Sequence, residues 1–237
     1  MRILAIGPHP DDVEIGMGGT VAALVRQGHS VVLCDLTNGE PTPRGSPERR
    51  AVEAAEAARV LGVEWRITLP LPNREVADTV EARRQVAEVI REVRPDVLFV
   101  PYWVDAHPDH VAGAALGEAA RFYAKLTRTT MRGDPTYPSR VVHFITSHYR
   151  LHVTPTFLFD ISATMEQKLR AVAAYPSQFA DEEGGMPILE MLREVARYWG
   201  HLIGCRYAEP FVTREPVGLS SLEGFVLGAR LDTKSRL

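Results

Sequence analysis

The chain has 237 residues, 45% hydrophobic and 24% charged, globular proportions that exclude a disordered polyelectrolyte and allow one sizeable core. Its formal charge is −3 and its Lys and Arg form no basic stripe interleaved with aromatics, so no nucleic-acid partner is expected. No basic leader with a long apolar stretch opens the chain, and no run of about 18 apolar residues occurs, so the reading is a soluble, cytoplasmic protein without a membrane partner.

In chain order, β-branched runs at 3–6, 30–36, 65–69 and 97–101 predict strands. Between them, 14–27, 47–61, 79–93 and 109–126 carry apolar residues at three- and four-residue spacing and predict helices. Ser46-Pro47 and Asp78 read as helix starts, Gly28 and Gly62 as stops. This alternation is that of βαβ units, and the expected fold class is α/β, a Rossmann-like three-layer α/β/α arrangement around a mostly parallel sheet. Further strands are predicted at 141–146 and 156–160, and helices at 162–174 and 187–204. Stretches 38–47 and 127–138 read as long loops and 179–186 as a mobile one. A single domain is expected over 1–228, with a frayed polar tail over 229–237. The two cysteines, Cys34 and Cys205, read as buried free thiols.

Open parallel sheets bind ligands at the carboxyl ends of their strands. Two such ends carry metal-ligand residues: Gly7-Pro8-His9-Pro10-Asp11-Asp12 after the first strand, and Asp105-Ala106-His107-Pro108-Asp109-His110 after the fourth. His9, Asp12 and His110 supply the three ligands of a catalytic zinc site, which leaves a position for the attacking water. Such a set also accepts other divalent ions, Fe2+ among them. Pro8 and Pro10 restrict the backbone on both sides of His9. Asp11 is the expected general base. His107 is expected to stabilise the oxyanion and protonate the leaving amine, with Asp109 or a nearby acid orienting its ring.

The glycines at 16, 18 and 19 follow the acidic turn, not the strand itself, so they do not make a dinucleotide fingerprint; they predict a close approach of helix to sheet or metal loop. Arg50 is the candidate for a substrate carboxylate or hydroxyl, set against a surface salt bridge to Glu53. Tyr102, Gln178 and His148 are further pocket candidates.

At Pro8–Asp12 and His107–His110 the sequence resembles the LmbE-like, or PIG-L-like, zinc de-N-acetylases. The resemblance implies zinc at His9, Asp12 and His110, a base at Asp11 and an assisting His107. It runs along nearly the whole chain, through Asp35-Leu36-Thr37, Gly39-Glu40, Arg50 with Glu53, Ser177-Gln178-Phe179 and Tyr207–Phe211, and looks closest to the bacillithiol-biosynthesis branch. That branch implies hydrolysis of N-acetylglucosaminyl malate to glucosaminyl malate and acetate, by a homo-oligomer that is often a hexamer. Another small N-acetylated sugar or thiol conjugate, mycothiol-type or diacetylchitobiose-type, is the alternative substrate. A carbohydrate-binding module with a purely structural metal is the rival outside enzymology, and an open coordination position argues against it.

Overall fold

The computed structural model describes residues 1–146 and 148–219, so the expected tail at 229–237 lies outside the described residues. Seven strands form one sheet there: β1 (Arg2–Gly7), β2 (Ser30–Asp35), β3 (Trp65–Thr68), β4 (Val97–Pro101), β5 (Arg140–Phe144), β6 (Phe157–Asp160) and β7 (Ala208–Val212), in the order β3-β2-β1-β4-β5-β7-β6. The first five run parallel, and β7 pairs antiparallel with both β5 and β6.

Helices α1 (Asp12–Arg26), α2 (Pro47–Leu61) and α5 (Met165–Ala173) bury Val13, Met17, Ala57 and Ala171 against one face of the sheet. On the other face, α3 (Val80–Val93) and α4 (Pro108–Ala124) bury Val86, Ile90, Leu116 and Ala120. Leu4 and Ile6 of β1 face this second layer while Ile3 and Ala5 face the first, which is why a central parallel strand is apolar at successive positions. The short α6 (Pro176–Phe179) and the amphipathic α7 (Pro187–Leu202) complete the described chain, in which no helix is long and apolar enough to cross a membrane.

The helix boundaries follow local chemistry. Ser46 Oγ accepts the Arg49 amide with Pro47 at the first helical position, and Gly62 closes α2 at φ 79°. α3 starts one residue later than the sequence suggests: Thr79 accepts the Ala82 amide, while Asp78 pairs with Arg83 instead.

Strand β7 is absent from the sequence reading because Glu209 and Pro210 interrupt any strand pattern. Both are accommodated by position. β5 pairs with β7 only at Phe211 and Val212, so Pro210 has no β5 residue opposite and its missing N–H costs no bond there. The Glu209 carboxylate accepts the Gly19 and Thr20 amides, at 3.1 and 2.7 Å, where α1 is interrupted by a non-helical Met17. Lys168 neutralises it at 2.5 Å. The glycines of α1 serve close packing, as expected: a Cβ at Gly16 would lie 2.5 Å from the Phe144 ring, and one at Gly19 2.7 Å from Ile161.

Cys34 is buried beside Asp35, and burial pushes its thiol far above the ordinary range; Cys205 is only half-buried, and both thiols are free.

Candidate metal centre and catalytic cavity

Because β1 and β4 are hydrogen-bonded neighbours, the two motif turns emerge side by side at the carboxyl edge of the sheet. One ligand atom from each of His9, Asp12 and His110 lies within 4.8 Å of the others. Asp12 bridges the pair, with Oδ2 3.2 Å from His9 Nδ1 and Oδ1 3.1 Å from His110 Nε2. Donors around one tetrahedral zinc stand about 3.4 Å apart, so these separations and this donor set fit such an ion.

The outer nitrogen of each histidine meets a buried carboxylate. His9 Nε2 is 3.0 Å from Asp109 Oδ2, and His110 Nδ1 is 2.8 Å from Asp105 Oδ2. Such contacts hold the rings and direct the opposite nitrogens toward an ion. Asp109 is in turn held by the Arg74 and Val76 amides, and Asp105 by those of His107 and His148. Asp105 is a site residue that sequence reasoning missed; its place two residues before His107 is the signal that could have found it.

The electrostatics suit a cation. Burial disfavours charge on His110, but the Asp12 carboxylate and the Asp105 contact overcome it and push the imidazole up to about 10. Burial likewise opposes ionisation of Asp12, yet His110 and His9 hold its carboxyl well below the usual range. Protons and a metal therefore compete for the same nitrogens.

Asp11 and Asp12 diverge. Asp11 adopts φ 120°, a strained backbone for a non-glycine residue, and its Oδ2 accepts from Arg50 Nη2 at 2.9 Å instead of joining the ligand cluster. Burial raises its carboxyl above the ordinary value, Arg50 opposes that rise, and Asp12 and Glu14 add to it. Beneath lies a second buried group of charges: Arg66 of β3 grips Asp35 at 2.6 and 2.8 Å and Glu14 at 2.6 Å, while Tyr175 donates to Glu14.

Several sequence expectations are corrected here. The Asp109 carboxylate does not orient His107; it contacts His9, and it is the Asp109 amide that donates to His107 Nδ1 at 3.2 Å. Arg50 makes no surface pair with Glu53, which binds Arg49 and Ser177; it is buried, with Nε and Nη1 lacking a hydrogen-bond partner among the described residues. Tyr102 packs against Trp103, the two rings tilted by 40°, and is not part of the cavity wall. Gln178 is not part of it either, and its amide instead ties Ser177 and Thr42 together. His148 does border the cavity, bound to Asp105 at 3.1 Å.

The cluster opens into a cavity of about 870 Å³ whose wall includes Asp11, Arg50, Asn73, Arg74 and His107. The sequence profile of the PIG-L family, described as GlcNAc-PI de-N-acetylase, matches residues 4–121, which contain both motif turns. The diacetylchitobiose deacetylase of Thermococcus kodakarensis is 34% identical over 226 residues, covering 88% of this chain and 81% of that protein. This chain belongs to the PIG-L family.

The family is described by its de-N-acetylase activity, and the Thermococcus relative is named as a deacetylase, a hydrolase of amides. Among solved structures, a conserved protein of Thermus thermophilus superposes with a TM-score of 0.84 at 40% identity, covering 92% of this chain and 97% of that one. A probable N-acetyl-alpha-D-glucosaminyl L-malate deacetylase 2 of Bacillus anthracis is 27% identical, covering 81% of this chain and 86% of that protein. The three-layer α/β architecture is thus that of a PIG-L protein.

Proposed function

We propose that this chain removes the acetyl group from an N-acetylglucosamine conjugate, with zinc or another divalent ion held by His9, Asp12 and His110. The observation that carries the reading is the meeting of two strand-end turns, about a hundred residues apart, in one cluster of donors within 4.8 Å at a cavity wall. The single sheet, covered on both faces, supports treating the described part of the expected 1–228 domain as one unit, and 220–228 lie outside the described residues.

When bound, the ion would polarise the acetamide carbonyl and lower the pKa of the attacking water. Asp11 takes that water's proton; a carboxyl raised by burial is a better base than an exposed one, and Arg50 fixes its direction. With Nδ1 accepting from the Asp109 amide, a neutral His107 carries its proton on Nε2, free to donate to the oxyanion. Burial and the neighbouring His9 and His110 lower the His107 pKa, which disfavours the imidazolium that protonation of the amine would require. The proton held by Asp11 therefore passes to the leaving nitrogen, in place of the proton from His107 that the sequence suggests.

The test is acetate release from N-acetylglucosaminyl malate, N,N'-diacetylchitobiose and free N-acetylglucosamine. Release is expected to stop on chelation and to return with added Zn2+ or Fe2+; a metal-loaded protein inert toward all three sinks the proposal. The malate conjugate is the finer substrate that the family resemblance implies and that the Bacillus anthracis relative's name carries, and its turnover relative to the other two decides whether it stands. Asp105→Ala is expected to weaken metal affinity about 10- to 100-fold, because His110 loses the contact that aims it. Competition against a chromophoric chelator measures this, and an unchanged affinity would remove Asp105 from the site.

A further inference from the structure

The cavity is larger than an acetamido sugar needs, and its two ends differ chemically. About 870 Å³ lies toward the upper end of the volumes that enclose drug-sized ligands, roughly 300 to 1,000 Å³. The end at the His and Asp cluster supplies the polar partners that a sugar requires. Beyond it the wall is one face of α7, where Ile188, Met191, Leu192, Val195, Ala196 and Trp199 recur at three- and four-residue spacing. At 1.5 Å per residue this stripe runs for roughly 16 Å.

Leu192 and Ala196 are buried in the cluster beneath α7, but Met191 and Val195 remain 49% and 47% exposed. The lining also includes Ile15, Leu151, Val153 and Pro210. Lys168 and Glu209 also border it, yet each is buried and paired with the other, leaving little to offer a charged ligand. An apolar surface of this length, continuous with a site for a polar sugar, has a use if the substrate is apolar where it leaves the sugar.

Resting on the deacetylase reading, we infer that the α7 wall is a subsite for an apolar substituent on the N-acetylated sugar, an alkyl or aryl group rather than a dicarboxylate. Burying methylenes there strengthens binding, whereas malate carboxylates would be desolvated against side chains that cannot pair with them.

The test compares kcat/KM for the methyl, hexyl and malyl glycosides of N-acetylglucosamine. The hexyl compound is expected to exceed both others by about tenfold or more. In Val195→Asp or Met191→Glu, both at half-exposed positions that the fold tolerates, the hexyl-to-methyl ratio is expected to fall toward one. Arg74 and Arg150 also border the cavity, and a malyl substituent that used them would match or outrun the hexyl one, overturning the inference while leaving deacetylation intact. A ratio indifferent to both substitutions overturns it too, as does a change of oligomeric state in these variants, which would assign the wall to a second copy of the chain. Titration with hexyl glucoside, which has no acetamide to hydrolyse, reads the wall separately from the chemistry. A blue shift of the Trp199 emission, lost in Trp199→Phe, is expected, and an unchanged spectrum refutes the subsite even if acetate is released.

Discussion

Asp11→Asn is expected to lower kcat by roughly 10²- to 10⁴-fold while leaving bound metal unchanged. The separation of the two effects follows from geometry: the Asp12 carboxylate lies between His9 and His110, whereas that of Asp11 turns away to Arg50. An amide at position 11 can keep accepting from Arg50 but cannot take a proton from water. The strained φ of 120° remains tolerable, since Asn is among the residues that best accept positive φ. Metal analysis alongside steady-state kinetics decides the matter. A variant that keeps its metal and its full rate would remove Asp11 from the chemistry, and one that loses both would make it a structural part of the metal loop.

Arg66→Leu is expected to cost about 3 to 5 kcal/mol of folding stability, a large part of the roughly 5 to 15 kcal/mol that holds a domain together. Arg66 is the buried counter-charge of Asp35 and Glu14, whose side chains have no solvent exposure. Removing the guanidinium leaves two carboxylates without it in an apolar interior, where burial already drives the Asp35 carboxyl upward. Urea denaturation measures the loss, and adding Asp35→Asn and Glu14→Gln to the leucine variant is expected to recover part of it. A cost below about 1 kcal/mol would show that water reaches the group or that the sheet edge relaxes around it. Since Glu14 lies on the turn of α1 that follows Asp11 and Asp12, such relaxation would also shift the site.

Much of the architecture was legible along the chain because its causes are local. β1 to β4 and the helices between them announce themselves by apolar spacing, and their ends by Ser46, Gly28 and Gly62. The donor cluster was legible for a different reason: each half is a short Pro-flanked turn, and in a parallel sheet both halves must emerge at the same edge. Ligand type and strand-end position together thus predicted the meeting of His9, Asp12 and His110 across a hundred residues.

Partner choice was not legible in this way. Nothing near Asp109 says that its carboxylate meets His9 and not the adjacent His107, nor that Arg50 turns inward to Asp11 instead of along its helix to Glu53. Those outcomes depend on the register of β1 beside β4 and on the depth at which α2 packs, which bring some donors into hydrogen-bond range and leave sequence neighbours apart. Strand β7 was hidden likewise, since Pro210 and Glu209 are tolerable only where β5 has ended and α1 presents open amides. Periodicity and turn chemistry act between residues a few positions apart, so they determine elements and motifs; which buried charge answers which is decided when the layers close and water leaves the contacts between them.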